Sequence, residues 1–530
     1  MRLSDWFLQA DERGNSATRI DSGRAETGAW TEGNEVRALV HGSVYFAELV
    51  DELVTLVDAD EVHFTDWRGD ADERLCDMGP QIGVLLGDLV RRGVDVRGLV
   101  WRSHSDRFAF SAKENRFLAD EVSDAGGEVL LDERVRWGGS HHQKLVVLRH
   151  PSAPDADVAF VGGIDLCHGR RDDEHHHGDD QAIPLDRRYG PHPPWHDLQI
   201  RVRGPAVGDL DFTFRERWED PTPLNYSNVL RAWLTPRRRS TKPLPDPLPE
   251  PPPAGSHAVQ VLRTYPARRP SYPFAPQGER SIARAYAKAF PRARRLIYIE
   301  DQFFWSTEVV GLLAETLKRN LDLHVIAVVP RHPDKDGRIS GPPNRIGQQQ
   351  AMALIDAAGG DRVAFYDLEN EAGAPIYVHA KVCVIDDVWV SVGSDNLNRR
   401  SWTHDSEIAC AVIDARLDDR TPTDPAGLGD GARRFARDLR LQLWAEHLGT
   451  SPANPDLLDP VRGFAVWRQT ATALDGWYDA DKRGTRPPGQ ARPHHLAPIG
   501  AHNRWWADLI YRTVYDPDGR PKKLRRTHHF

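Results

Sequence analysis

The chain has 530 residues, 40% of them hydrophobic and 28% charged, with a formal net charge of −9. That length supports two or more domains with a substantial core, and the acidic balance argues against a general nucleic-acid binder, which carries a basic footprint. Four scattered cysteines, Cys76, Cys167, Cys383 and Cys410, lack CxxC spacing and call for no disulfide, which favours a reducing compartment.

Residues 1–34 form an N-terminal segment with no basic start followed by an apolar core, so no secretory leader is expected, and no apolar run in the chain reaches the length of a membrane span. A first unit is expected over 35–234. VHFTDWRGD (62–70) reads as an apolar strand ending in polar and aromatic residues. Ile82, Leu85, Leu86, Leu89 and Val90 follow helical spacing with Gly93 as a stop, and VDVRGLVW returns as a strand. LVVL and VAFVGG then read as a hairpin turning around PSAPDA, which sets His142 near Gly163. RRDDEHHHGDD (170–180) holds ligand types suited to zinc. Consecutive residues rarely converge on one ion without a turn, so the segment reads as a polar loop near a site entrance, and neither a metal nor another cofactor is expected.

TPRRRSTKPLPDPLPEPPPAG is too proline-rich for a core element and marks 235–256 as an extended linker, with Arg237, Arg238 and Arg239 solvated. The second unit, 257–450, echoes the first: IYIEDQFFW (297–305), a helix over TEVVGLLAETLKRN and the strand LDLHVIAVV. Val378, Ala380, Val382 and Val384 alternate with His379, Lys381 and Cys383, the period of a strand with one apolar face. A tip centred between Asp386 and Asp387 would set His379 opposite Ser394 and Asn396 beside Tyr377. RFARDLRLQLWAEHLG (434–449) is an amphipathic helix closing this unit. The extension 451–530 includes Trp505-Trp506 and a basic end, RPKKLRR (520–526), which reads as solvated and unstructured. Helix-then-strand units beside hairpins imply an α/β sandwich in each half.

The chemistry lies in a repetition. His142-x-Lys144 and His379-x-Lys381 stand 237 residues apart, each followed by a strand-like run and a Gly-rich turn, VGGIDLCHGR and VGSDNLNRRS. The matching contexts suggest one active site to which each half gives a histidine and a lysine. One neutral imidazole can attack phosphorus and become a phosphohistidine while the other, protonated, donates its proton to the leaving oxygen. Two ammonium groups stabilise the developing charge, and no metal is required.

The pattern resembles the phospholipase D superfamily, whose signature is His-x-Lys-(x)4-Asp, then Gly-Ser or Gly-Gly, then Asn. His379, Lys381, Asp386, Gly393, Ser394 and Asn396 match it fully; the first copy departs with Arg149 and Asp165, and Asp155 and Asp157 are nearby in sequence. The resemblance implies an α/β fold of two phospholipase D-like sandwich halves in pseudo-twofold arrangement, with the active site at their interface. It implies His142 as nucleophile, His379 as general acid, Lys144, Lys381 and Asn396 on phosphate oxygens, and Asp386 in the catalytic set. Gly163, Asp165 and Ser394 would surround them, Asp197 and Glu407 would accept hydrogen bonds from the imidazoles, and Asp66, Trp67, Glu300 and Gln302 would line the site. It further implies a phosphodiesterase acting on phospholipids or other phosphodiesters, able to make peripheral contact with a membrane surface. The scattered cysteines and the N-terminal segment favour a cytoplasmic location, and the internal duplication favours a monomer. A nuclease of the same superfamily and an inactive phosphate- or membrane-binding scaffold are the rival readings.

Overall fold

A computed structural model describes residues 1–22, 24, 28–102, 112–224, 242–335, 340–496, 498–527 and 530; Arg237, Arg238 and Arg239 lie outside them. The first half contains strands β1 (Thr31–Val40), β2 (Glu61–Asp66), β3 (Asp95–Trp101), β4 (Glu128–Asp132), β5 (Leu145–Arg149), β6 (Val158–Gly162) and β7 (Leu198–Arg203). They pair in the order 1-7-6-5-2-3-4, parallel only across 2-3-4. The second half contains β8 (His257–Tyr265), β9 (Leu296–Asp301), β10 (His324–Val328), β11 (Val363–Glu369), β12 (Lys381–Ile385), β13 (Trp389–Gly393) and β14 (Glu407–Asp414). Their order, 8-14-13-12-9-10-11, repeats the first sheet strand for strand and sense for sense. β1 also pairs with β8 through Thr31 and Asn34, joining the two sheets edge to edge.

The helices repeat as well. α1 (Gly42–Thr55), α2 (Ile82–Arg91), α3 (Ala112–Asp124) and α4 (Ala206–Trp218) occupy the same places between strands as α5 (Ser281–Ala289), α6 (Thr307–Arg319), α7 (Gly341–Gly359) and α8 (Arg434–Leu448). α2 buries Ile82, Leu85, Leu86 and Leu89, its spacing of three and four, and the chain leaves it through Gly93 at φ +93°. α6 starts at Ser306, whose hydroxyl accepts from Val309 N–H. Val147, Ala159 and Ile200 of the first sheet and Val261, Val382 and Val412 of the second enter one inner core with Leu210 of α4 and Leu443 of α8. The outer faces are covered separately, by Phe46, Leu86 and Leu118 in one half and Tyr286, Leu313 and Ile355 in the other. The inner core thus fixes the two halves against each other.

The hairpins differ from the expected register by one residue. Ile385 pairs with Trp389 and Leu148 with Val158, so the loops are 386–388 and 149–157. Asp386 and Asp387 both take positive φ, 52° and 57°, which makes a three-residue loop where a two-residue tip was expected. Continued beyond the strands, this register sets His379 opposite Asp395, and not Ser394.

The flanking segments are folded onto the halves. Trp6, Phe7 and Leu8 enter the outer core of the second half. Within the proline-rich stretch, Pro245 O and Pro249 O accept from Arg215 and Arg149, so described residues 242–256 lie along the first half. Beyond 450, the helix Pro460–Asp479 gives Phe464 and Trp467 to the inner core, and Ala491–Pro493 pairs with β11. The basic end is not wholly solvated: Arg520 is buried against Asp518 and Glu308, and Lys522–Thr527 is a helical turn.

Candidate active site

Each of the two motif histidines is held by a carboxylate from the opposite half. His142, three residues before β5, places Nδ1 2.8 Å from Oε2 of Glu407 at the start of β14. His379, two residues before β12, places Nδ1 2.6 Å from Oδ2 of Asp197, just ahead of β7. The backbone repeats the exchange, with His142 N–H donating to Ser406 O and His379 N–H to His196 O. An ionised carboxylate only accepts, so each imidazole, when neutral, carries its proton on Nδ1 and leaves Nε2 as the basic nitrogen. Trp67 borders His142, and Trp195 packs on His379 with ring centroids 4.8 Å apart.

The lysines are buried beside them. Lys144 Nζ lies 3.2 Å from His142 O and 3.4 Å from Asp165 Oδ1. Lys381 Nζ donates to His379 O and lies 3.4 Å from Gln302 Oε1, whose amide in turn donates to the Tyr377 hydroxyl. Burial lowers Lys381 to about 8, with Lys144 adding to that push and Asp197 opposing it. Burial also drives His379 well below the ordinary histidine value, helped by Lys381, Arg170, Lys144 and His142. Asp197 is pushed up to about 6 by burial, against the pull of Lys381. Groups from both repeats therefore share one electrostatic field.

The turns after β6 and β13 finish the site differently in each half. Ser394 Oγ donates to Glu407 Oε2 at 2.6 Å. At the equivalent Gly163, a Cβ would stand 2.1 Å from Asp197 Oδ1, so glycine is what lets that carboxylate sit there. Asn396 is buried with Oδ1 lacking a hydrogen-bond partner among the described residues. Its counterpart Asp165 is held below the ordinary carboxylate range by Lys144 and Arg170 against the upward push of burial. Burial and the Asp165 charge raise neighbouring Asp66 well above that range, so the pair carries one negative charge between them.

Two residues grouped with the site by sequence lie elsewhere. Asp386 is at the far end of β12, where it accepts from the amides of Arg294, Arg295 and Leu296 and fixes the hairpin tip. Arg149, in the equivalent place, binds Asp157 Oδ2 at 2.8 Å and Asp211 Oδ2 at 3.0 Å, so the first hairpin is anchored with the charges reversed. Glu300 pairs with Val382 and shares its inward face, where it meets His196 and His447. The carboxylate opposite Lys381 is Asp301, which aligns with Asp66 in the two strand segments and was overlooked there. Arg170 was also missed: it stacks 4.0 Å over Trp195 and lies 3.7 Å from Asp165 Oδ2. Its only sequence signal was its place at the end of VGGIDLCHGR.

Comparison with known proteins places this geometry. The family model described as phospholipase D matches residues 83–311 and 361–487, and one described as cardiolipin synthase, PLD-like domain matches 286–421. Phospholipase D alpha 1 of Cynara cardunculus is 28% identical over 513 residues, covering 72% of this chain and 61% of that protein. Phospholipase D2 of Bos taurus is 26% identical over 552 residues, covering 84% and 56%. The chain thus spans less than two thirds of the length of these relatives. The solved phosphatidylserine synthase of Haemophilus influenzae Rd KW20 aligns at 13% identity with a TM-score of 0.49, over 76% of this chain and 87% of that one. With the phospholipase D model matched across both repeats and well over half of the sequence, the chain belongs to the phospholipase D family.

Proposed function

We propose that this protein is a phosphodiesterase that cleaves, or transfers to an alcohol, the phosphodiester bond of phospholipids through a phosphohistidine. His142 Nε2 attacks phosphorus, the bond to the leaving oxygen breaks, and His379 gives that oxygen its proton. Neutral His379 then takes a proton from water or an alcohol, whose oxygen displaces His142 from phosphorus. Lys144, Lys381 and Asn396 bind the non-bridging oxygens. The reading rests on one observation above all: two imidazoles from distant repeats are oriented reciprocally, Nδ1 on the other half's carboxylate.

Burial, helped by the surrounding cations, keeps His379 neutral, and the cations' share of that effect depends on what is bound among them. A phosphodiester anion placed among Lys381, Arg170 and Lys144 offsets their charge, and His379 then takes up the proton it must deliver. Similarity to phospholipases D favours a phospholipid as the substrate. No helix among the described residues is long and apolar enough to cross a membrane, so contact with lipid is proposed at the bilayer surface.

The test is head-group release from phosphatidylcholine vesicles without added metal, beside cleavage of labelled single-stranded DNA. His142→Ala and His379→Ala should each abolish turnover, and quenching the wild type in denaturant without acidification should trap the phosphatidyl group on His142. Turnover retained by either variant overturns the shared site, and cleavage of DNA alone overturns the lipid assignment.

A further inference from the structure

We infer that a metal site lies behind the catalytic strands, where His41, His176, His196 and Glu446 hold a divalent transition ion of the zinc type. The four residues come from the end of β1, the 170–180 loop, the segment before β7 and α8, so they tie the two halves together. One donor atom from each lies within 4.8 Å of every other. His41 Nε2 is 2.9 Å from Glu446 Oε2, His176 Nε2 3.1 Å from Oε1, and His196 Nδ1 3.7 Å from Oε1. A tetrahedral ion with bonds of about 2.0 Å spaces its donors roughly 3.3 Å apart. The imidazoles are buried, and Glu446 is 13% exposed.

Hydrogen-bond roles carry the argument further. His176 Nδ1 lies 3.1 Å from Trp195 O, which can only accept, so Nδ1 is the donor and, in the neutral ring, Nε2 turns a lone pair toward the Glu446 carboxylate. His196 Nε2 lies 2.8 Å from Glu300, which fixes the proton there and leaves Nδ1 bare, buried and without a partner among the described residues. With both rings neutral, two lone pairs face one carboxylate, an arrangement that a cation relieves, either a proton on His176 Nε2 or a metal ion bound in its place. For His176 and His196 the outer nitrogen is backed by a carbonyl or a carboxylate, as in oriented ligating histidines, whereas His41 Nδ1 has no partner among the described residues. His41 and His176 also take positive φ, 74° and 53°. Of the three consecutive histidines only His176 turns inward; His175 and His177 are exposed. An ion here touches no reacting atom. It would brace His196, whose carbonyl receives His379 N–H and whose neighbour Asp197 orients that imidazole.

The full chain, expressed with zinc chloride and dialysed, is measured by mass spectrometry, and cobalt chloride is added to the stripped protein. About one zinc per chain, visible absorption of tetrahedral cobalt, and a loss of at least ~10-fold in affinity in Glu446→Gln and His176→Gln are expected. Wild-type protein without bound zinc and without cobalt bands overturns the proposal and leaves a proton-sharing network. Stoichiometric zinc retained by both variants overturns its location.

Discussion

Asp197→Asn and Glu407→Gln remove the same charge from equivalent positions, yet the structure expects different outcomes. Asp197 Oδ1 accepts from Leu198 N–H at 2.9 Å while Oδ2 accepts from His379. In asparagine the amide oxygen must stay on Leu198, because the reverse sets two donors against each other at a cost of about 1–3 kcal/mol. The NH2 group then faces Nδ1, which becomes an acceptor, and the His379 proton moves to Nε2. That tautomer cannot receive a proton there, and the loss should be on the order of 10⁴ in kcat, about 5 kcal/mol of barrier. Glu407 differs. Its Oε2 accepts from both His142 and Ser394, whereas Oε1 has no partner among the described residues. Glutamine can keep oxygen at the first position and place nitrogen at the second, so the tautomer survives and the loss should be roughly tenfold, about 1.4 kcal/mol. Vesicle hydrolysis supplies the rates, and ¹⁵N NMR of the ring nitrogens supplies the tautomers. Equal losses, or an Nδ1-protonated His379 in Asp197→Asn, would refute the reasoning.

Two further outcomes follow from the buried charges. The profile of kcat/KM should be bell-shaped: activity falls as pH drops through about 6, where Asp197, raised by burial, takes a proton and stops accepting from His379. It also falls as pH rises through about 8, where Lys381, lowered by burial, loses its charge; Lys381→Arg should move that limb upward, and a flat profile from pH 5 to 9 would count against both assignments. Arg149→Met leaves Asp157 and Asp211 buried without their shared guanidinium and should cost about 3–5 kcal/mol in denaturant unfolding, with turnover per folded molecule unchanged. A selective loss of turnover would return position 149 to the site.

The helical spacing at 82–90 is a strong local signal and its helix is present, whereas the alternation around His379 corresponds to two strands, Pro375–Val378 and Lys381–Ile385, with His379 and Ala380 between them. The two α/β layers followed from helix-then-strand units repeated in both halves. Register was less legible, because a loop of two left-handed aspartates is not distinguished by residue type from a two-residue tip. Glu300 and Asp301 are adjacent, so deciding which faces the lysine required knowing which residue pairs with Lys381. Arg170 and Glu446 reach their places through tertiary packing, which no local pattern encodes. Asp386 shows the opposite difficulty: its place in the signature marks a structural role as readily as a chemical one.

The swapped carboxylates carry a consequence for engineering. A half-length chain of this architecture could not aim its own imidazole; it would need a second copy docked against it, each lending its acid to the other. Within one polypeptide the equivalent positions need not match, as glycine and serine at 163 and 394 show. Separately produced halves should accordingly be inert by themselves and regain turnover on mixing only if they reassemble.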